Sequence, residues 1–281
     1  MPHLPRVTIV GLGLIGGSLG LALKRKRLAH EVVGLGRHAA TLRLATQRRA
    51  IDWGTTDPAR AVRHADIVVL ATPVSTIVPL AKRLAPLMRP GSLLTDVGST
   101  KAEIVRALER RLPNQISFVG AHPLAGSERR GLAAACADLF DGSLCIVTNT
   151  ARTSPHALAR LKRLWAGVVR RVVVLDPATH DRWLAQVSHL PHVVAFCLVQ
   201  AASGPARRVA PRSFLDATRV ANSDPVLWRD ILLTNRAAVL AALGRFERDV
   251  AAVRRLIHRP DPRALEQFLR HGQHLRHALP D

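Results

Sequence analysis

One histidine in a glycine-bounded segment has the clearest potential for chemistry in this chain. His122 lies in the segment 118–128, FVGAHPLAGSE, between Gly120 and Gly126. A histidine with an ordinary pKa near 6.5 can accept a proton at cellular pH, and a glycine-rich turn can bring its ring close to a ligand. A histidine in a loop is also often an ordinary surface residue. The role of His122 therefore depends on the other motifs of the chain.

Glycines near the N-terminus have the spacing of a dinucleotide site. Gly11, Gly13 and Gly16 follow a β-branched run and open a helix-like segment. In that setting backbone N–H groups and the helix dipole can hold a pyrophosphate. We predict cofactor binding at Gly11, Gly13, Leu14, Ile15 and Gly16. The apolar run 7–23 is then strand and helix, and not a signal peptide or a membrane span.

The end of the second predicted strand indicates which dinucleotide is bound. A site for NAD would place a carboxylate there for the ribose 2′-hydroxyl, but this chain has Gly36, Arg37 and His38. An arginine suits a 2′-phosphate, because its guanidinium makes charge-assisted hydrogen bonds. We expect NADP to be favoured with NAD possible; in the alternative, Arg37 is only a surface residue.

The segment DVGSTK, residues 96–101, follows another predicted strand, at the sheet edge where ligands of such folds bind. Ser99 could donate a hydrogen bond to a substrate hydroxyl there. The alternative is that Ser99 or Thr100 caps the next helix.

Two later polar groups allow more than one interpretation. His189 and His192 stand three residues apart, with His180 and Asp181 about two turns earlier, but no third ligand has zinc-like spacing, so we predict no metal. In the second group an arginine could clamp a carboxylate, or Arg–Asp pairs could surround a core tryptophan. That group comprises Asp216, Thr218, Arg219, Asp224, Trp228 and Arg229.

The elements that position these residues change character along the chain. Strand-like runs alternate with helical stretches up to Asp176, which predicts a mostly parallel sheet covered by helices. Beyond it, helical spacing occupies 179–202, 225–257 and 262–278, joined by an exposed connection at 203–213. We predict an α/β fold: a Rossmann-type doubly wound domain over 1–176 and an all-helical domain over 177–281. The strand candidates after the first are 32–35, 67–71, 93–97, 116–119, 144–148 and 172–175.

Composition limits the class of protein. The net charge is +21, yet the excess is spread along the chain without a basic tail, and there is no Tyr, which argues against nucleic-acid binding. A positive field would attract anionic cofactors and carboxylate substrates. Three cysteines without paired spacing fit reduced thiols in the cytoplasm. We expect a cytoplasmic enzyme with a small-molecule substrate and no membrane partner.

Taken in order, these motifs resemble the prephenate and arogenate dehydrogenase family, also called cyclohexadienyl dehydrogenases, over nearly the whole chain. They are GLGLIGGSLGLAL, LATP at 70–73, DVGSTK, GAHPLAGSE, HD at 180–181, VSHLPH, DATR and SDPVLWRDI. The resemblance implies a homodimer formed through the helical domain and oxidative decarboxylation in tyrosine biosynthesis. Prephenate would give 4-hydroxyphenylpyruvate, and arogenate would give tyrosine.

The resemblance also implies roles for single residues. His122 would deprotonate the ring hydroxyl, Ser99 would support that contact beside the cofactor, and Arg219 would bind the ring carboxylate. His192 would assist on the substrate side, and Trp228 would lie close to the pocket, from this or the neighbouring subunit. Two acidic residues, Glu128 and Asp216, would orient the basic groups. The cofactor would also contact Ala71, Thr72 and Pro73.

This chain departs from the family pattern before the Asp-x-Thr-Arg stretch. The family usually has a glycine pair and a basic residue there, whereas this chain has Arg212, Ser213, Phe214 and Leu215. The choice between prephenate and arogenate is therefore open. We expect no regulatory domain or fused mutase after the helical domain, so that any inhibition by tyrosine would act at the active site.

Two other functions agree less well with the sequence. A β-hydroxyacid dehydrogenase shares the glycine turn but relies on a lysine in its helical domain, and residues 177–281 contain no Lys. A non-catalytic NADP-binding protein would have no need of His122, Ser99 and Arg219 together.

Overall fold

The computed structural model of the protein describes residues 5–127 and 129–279. Glu128, one of the predicted substrate-side residues, lies outside these ranges. The chain divides into two compact units, residues 1–235 and 236–281.

A six-stranded parallel sheet forms the centre of the first unit, as the alternating strands and helices predicted. Its strand order is β3-β2-β1-β4-β5-β6, the order of a dinucleotide-binding fold. Side chains alternate between its faces, so that Val69 and Leu93 belong to one core cluster and Val68 and Leu94 to the other. The strands are β1 (Arg6–Val10), β2 (Glu31–Leu35), β3 (Trp53–Thr55), β4 (Ile67–Leu70), β5 (Leu93–Asp96) and β6 (Ser117–Val119).

Three further strands form a second, smaller sheet, which the sequence did not predict. It contains β7 (Ala121–Pro123), β8 (Leu144–Thr148) and β9 (Arg171–Leu175), with β7 antiparallel to β8 and β9 parallel to it. The expected assignment of 144–148 and 172–175 to the main sheet was therefore wrong, although both runs are strands. His122 lies in β7, opposite Ile146, and not in a turn.

Gly120 is the reason that the chain can pass from β6 directly into β7. Its carbonyl accepts a hydrogen bond from the N–H of Thr148 at 2.9 Å. A Cβ at this position would meet the Thr148 hydroxyl at 2.8 Å, so a side chain does not fit. The two sheets thus meet at a glycine, and the strand after it holds His122.

Helices cover the sheet and connect its strands. The glycine turn leads into α1, and α5 begins just after the segment 96–101. These helices are α1 (Leu14–Arg25), α2 (Ala39–Gln47), α3 (Pro58–Val62), α4 (Val74–Leu84), α5 (Ala102–Leu108) and α6 (Pro155–Ala166).

After β9 the described residues contain only helices and connections, as predicted. One helical stretch runs over Pro177–Ala201: α7 (Pro177–Leu184), a π-helical turn (Ala185–His189) and α8 (Leu190–Ala201). The π-helical turn ends two residues before Pro191, which has no N–H to donate to a carbonyl in the preceding turn. By length and composition alone this stretch could cross a membrane, a test that core helices of soluble proteins also pass.

The rest of the first unit is built from shorter helices. Residues 203–213 are mostly exposed, as expected, but they include a helical turn. The predicted helix over 225–257 is wrong in one respect, because it is interrupted at Asn235. The helices are α9 (Gly204–Arg207), α10 (Arg212–Thr218), a 3₁₀ turn (Arg219–Asn222) and α11 (Pro225–Thr234).

The second unit consists of two helices, α12 (Arg236–His258) and α13 (Pro262–His277). The side chain of Asp261 caps α13 by accepting a hydrogen bond from the N–H of Ala264 at 3.0 Å.

Candidate active site

The glycine turn before α1 has the geometry needed to hold a pyrophosphate. Gly11 has a φ of +93°, which favours glycine, and its N–H donates to the carbonyl of Leu35 at 3.0 Å. A Cβ on Gly16 would meet the Gly11 carbonyl oxygen at 2.0 Å, so the helix and turn approach each other closely. Gly13, at the N-cap of α1, supplies no side-chain hydrogen bond. The N–H groups of this helix end can therefore bind phosphate oxygens.

The residues predicted to line the cofactor site from β4 lie beside this turn. A Cβ on Gly11 would meet the carbonyl oxygen of Ala71 at 2.6 Å and the Cγ2 atom of Thr72 at 2.7 Å. Pro73 follows as the N-cap residue of α4. Arg37 is exposed just beyond β2, one residue after Gly36, whose N–H donates to the carbonyl of Thr55 at 3.3 Å.

His122 is the first member of a buried chain of hydrogen bonds. Its Nδ1 lies 2.9 Å from Nε2 of His180, and Nδ1 of His180 lies 2.8 Å from Oδ1 of Asp181. Both histidines are buried, and His180 has no exposed surface. The strand β7 and the helix α7 thus hold two imidazoles and a carboxylate in line.

The Asp181 carboxylate also holds the N-terminus of α5. Its Oδ1 accepts the N–H of Lys101 at 2.8 Å, and its Oδ2 accepts the N–H of Ala102 at 2.9 Å. The alternative in which Ser99 or Thr100 caps this helix is wrong, because the N-cap position is Lys101 and the cap comes from Asp181. Ser99 is half-buried in the segment between β5 and α5.

A buried ion pair lies beneath the same segment. The Lys101 ammonium contacts the Asp96 carboxylate, and neither side chain is exposed. Buried charges require such pairing, because an isolated one would lose its hydration without compensation. The pair anchors the segment that carries Ser99.

Burial keeps the histidines of this site uncharged. It lowers the pKa of His122 well below 6.5, and the nearby His180, Lys101 and His189 lower it further. Burial also lowers the pKa of His180, against the opposing effect of Asp181, and it brings the pKa of His189 to about 4. An uncharged imidazole can accept a proton, so His122 is suited to act as a base.

Trp228 forms an apolar wall next to these residues. Its ring stacks on that of His192, with centroids 3.5 Å apart, and meets His189 edge to face at 6.0 Å. The contact with His192 is made within one chain. Nδ1 of His192 lies 2.9 Å from the Ser188 carbonyl, which can accept its hydrogen and leave Nε2 as an acceptor.

Arg219 and Asp216 line an open cleft of about 500 Å³. Burial lowers the pKa of His192, and the charge of Arg219 lowers it further, so the two residues lie within electrostatic range of each other. Asp216 pairs with Arg212 at 3.1 Å, on the exposed face of α10. The cleft is also lined by Arg207, which makes it predominantly positive.

Some residues of this arrangement had no role assigned from the sequence. His180 and Asp181 were weighed only as part of a possible metal group and as one motif of the family resemblance, and Asn235 was not considered. Asn235 donates from Nδ2 to the Asp181 carbonyl at 2.8 Å and lies 3.1 Å from Nδ1 of His189. The adjacency of His180 and Asp181 was the sequence feature that could have indicated a hydrogen-bonded pair. Within residues 5–127 and 129–279, no group of three or more His, Cys, Asp or Glu could hold a metal ion.

Comparison with known proteins identifies relatives over nearly the whole chain. Residues 19–174 match the family model described as prephenate dehydrogenase, nucleotide-binding domain, and residues 176–271 match prephenate dehydrogenase, dimerization domain. A cyclohexadienyl dehydrogenase from Zymomonas mobilis is 37% identical over 97% of this chain and 95% of its own length.

Two solved structures have the same fold. The prephenate dehydrogenase from A. aeolicus, in complex with hydroxyphenyl propionate and NAD+, has a TM-score of 0.89 and 33% identity, covering 97% of each chain. The arogenate dehydrogenase from Synechocystis has a TM-score of 0.83 and 30% identity, covering 96% of this chain and 98% of its own.

Proposed function

Because the chain belongs to the prephenate dehydrogenase family, we propose that it catalyses the oxidative decarboxylation of a cyclohexadienyl substrate in tyrosine biosynthesis. The observation that carries this proposal is the buried, uncharged His122 in hydrogen-bonded line with His180 and Asp181. A base of this kind is needed to take the proton from the ring hydroxyl.

In the proposed reaction His122 accepts the hydroxyl proton at Nε2. The hydrogen on the same ring carbon leaves with its electron pair, and a bound nicotinamide supplies the acceptor for this hydride. The electron pair of the bond to the ring carboxylate moves into the ring, which becomes aromatic as CO2 departs. The proton on His122 then returns to the phenolate oxygen.

Other residues position the substrate. Arg219 binds the ring carboxylate, because a guanidinium can hold a carboxylate through two hydrogen bonds. Trp228 and His192 form the wall against the ring, and Ser99 supports the hydroxyl.

We favour prephenate over arogenate as the substrate. Prephenate carries two carboxylates and no ammonium group, whereas arogenate has an amino-acid side chain. The described residues that line the cleft include three arginines, Arg207, Arg212 and Arg219, and one carboxylate, Asp216. That balance favours the substrate with the greater negative charge.

We also propose that NADP is preferred to NAD. No carboxylate follows β2, where a residue for the 2′-hydroxyl would lie, and Arg37 is exposed at that edge. The A. aeolicus relative was crystallised with NAD+. The proposed preference for NADP therefore depends on Arg37 of this chain and is tested on this chain.

The helical region is expected to join two copies of the chain in the cytoplasm. It matches a dimerization domain, and it exposes apolar side chains on the stretch Pro177–Ala201, with Val187 73% and Trp183 49% exposed. The free thiols fit a reducing compartment.

One set of measurements tests the substrate, the cofactor and the activity together. We would determine kcat/KM for prephenate and for arogenate, each with NADP+ and with NAD+. The reaction is followed by the absorbance of the reduced nicotinamide. The highest value is expected for prephenate with NADP+. Turnover of neither substrate would remove the proposed function, and a higher value for arogenate would reverse the substrate proposal.

A further inference from the structure

The hydrogen-bond chain that ends at His122 begins at the N-terminus of a helix. The Asp181 carboxylate accepts two backbone N–H groups there, those of Lys101 and Ala102, and it also lies 2.8 Å from Nδ1 of His180. Asn235 holds the backbone of Asp181 in place from the end of α11. The carboxylate is therefore fixed from three elements, and two of its partners are backbone donors.

These bonds determine where the hydrogens of both imidazoles lie. Two backbone N–H groups donate to the Asp181 oxygens, so the carboxylate acts as an acceptor and has no hydrogen to give. Nδ1 of His180 must then carry the hydrogen of that bond. A buried neutral imidazole has one N–H, so Nε2 of His180 is an acceptor and His122 must donate from Nδ1. Nε2 of His122 is left with its lone pair.

We propose that Asp181 and His180 are positioning residues, which hold His122 in the tautomer with its hydrogen on Nδ1 so that Nε2 can accept the substrate proton. The inference rests on the proposed function only for the identity of that proton. The same line of groups stabilises the imidazolium that His122 becomes, because Asp181 supplies a negative charge one imidazole away.

Other ionisable groups surround the pair without altering this assignment. His122 is faced by Lys101 and by His189, and Lys101 is itself paired with Asp96. The positive charge of Lys101 disfavours a positive charge on His122, and so would a proton on His189. Within the part of the chain that the structure describes, the carboxylate hydrogen-bonded to the imidazole chain is that of Asp181.

The test replaces the acceptor and observes the hydrogen directly. In Asp181→Asn the amide can present a donor toward His180, which then carries its hydrogen on Nε2 and drives the hydrogen of His122 to Nε2. We expect kcat to fall by roughly 10²- to 10⁴-fold with little change in KM, the behaviour of a base held in the wrong tautomer. Long-range ¹H–¹⁵N spectra of the full-length protein labelled in its histidine rings would assign the tautomer of His122.

The matched control is Asp176→Asn. The Asp176 side chain caps the same helix, α7, by accepting the N–H of Thr179 at 2.9 Å. Asp176 bonds His180 only through its backbone carbonyl, which accepts the His180 N–H at 3.0 Å and is kept in the variant. This variant should keep the wild-type kcat and the Nδ1–H tautomer of His122. Equal losses in the two variants would mean that Asp181 only stabilises the helices, and the proposal would fail.

A second pair of variants keeps the proposal testable if Asp181→Asn does not fold. His180→Gln retains both an acceptor toward His122 and a donor toward Asp181, whereas His180→Leu retains neither. The Gln variant should have at least tenfold higher kcat than the Leu variant and should keep the Nδ1–H tautomer. Equal kcat values, or a wild-type His122 with its hydrogen on Nε2, would overturn the inference. The tautomer is measured without substrate, so a failure of the proposed function is distinguished from a failure of this one.

Discussion

A base that acts near neutral pH must be uncharged when the substrate arrives, and burial achieves this for His122. The residue is 9% exposed, so solvent has little access to its side chain. Low solvent access also strengthens the electrostatic effect of each neighbour. Single residues therefore decide the chemistry, and their replacement should affect turnover more than binding.

The clearest prediction at this scale concerns His122 itself. His122→Asn should lower kcat by roughly 10²- to 10⁴-fold while KM changes little, because the proton acceptor is lost and the binding groups remain. Steady-state kinetics with prephenate measure both constants, and circular dichroism verifies the fold. A kcat near the wild-type value would remove His122 from the role of base.

The second prediction concerns cofactor choice. Arg37→Ala should raise the Kd of NADP+ by roughly 10-fold or more and leave that of NAD+ nearly unchanged, because only NADP+ has a 2′-phosphate for the guanidinium. Titration of the cofactor by protein fluorescence or calorimetry gives both constants. Arg43→Ala, which removes an exposed arginine of α2, is the control for loss of charge. Equal weakening of both cofactors by Arg37→Ala would make Arg37 a surface residue only.

At the scale of elements, the site depends on how two sheets meet. His122 lies in a three-residue strand, whose position is set by the passage from β6 through Gly120 and by pairing with β8. His180 and His189 lie on the helical stretch that follows β9, on either side of its α-to-π transition. The geometry of the base is thus a consequence of these junctions.

Gly120→Ala tests this dependence. Its Cβ would lie 2.8 Å from the Thr148 hydroxyl, so β7 or β8 must shift, at a cost of roughly 1–3 kcal/mol in the free energy of unfolding. We expect a lower Tm and a lower kcat, since His122 moves with β7. Gly126→Ala is the matched control, because a Cβ there would contact nothing within 4 Å. Wild-type Tm and kcat in Gly120→Ala would show that the junction tolerates a side chain.

At the scale of the whole molecule, the buried histidines make stability depend on pH. Their pKa values are lowered in the folded state, so the unfolded chain binds more protons than the folded one below pH 6.5. The free energy of unfolding therefore decreases as the pH is lowered. For His189, with a pKa of about 4 against 6.5 when unfolded, the loss is about 2 kcal/mol at about pH 5.

The Tm at about pH 7.5 and at about pH 5 measures this effect, because the two values lie on either side of the ordinary histidine pKa near 6.5. His189→Gln, which keeps an acceptor for Asn235, should show a smaller drop in Tm between the two pH values than the wild type. His64→Gln, a change at an exposed histidine, should keep the wild-type drop. An identical pH dependence of Tm in all three proteins would contradict the assignment of the stability loss at low pH to His189.

The expected dimer gives the other prediction at this scale. Val187→Glu places a charge on the exposed apolar face of the stretch Pro177–Ala201 and should convert a dimer to monomer, as measured by light scattering at micromolar concentration. Leu44→Glu, on α2 of the sheet-containing region, should leave the mass unchanged. A wild-type monomer, or a dimer unaffected by Val187→Glu, would place the interface elsewhere or remove it.

Much of this protein follows from local sequence. The strand-glycine-helix run around Gly11 predicted the dinucleotide-binding turn, since φ and steric limits leave only glycine there. Hydrophobic periodicity predicted the strands of the main sheet except the three-residue β3, and it predicted the change to helices after Asp176. The order of motifs indicated the family. Each of these features depends on residues that are close together in the chain.

Contacts between distant residues were decided by the tertiary structure alone. Periodicity cannot assign a strand to a sheet, so β8 and β9 were placed in the wrong one, and β7 is too short to give a pattern. The interruption at Asn235 coincides with its bonds to Asp181 and His189, which lie 54 and 46 residues away. Likewise, the line from Asp181 through His180 to His122 joins residues 58 positions apart. The sequence by itself singled out His122 as the candidate base. The tautomer proposed for it depends on hydrogen bonds from remote elements, which only the folded chain brings together.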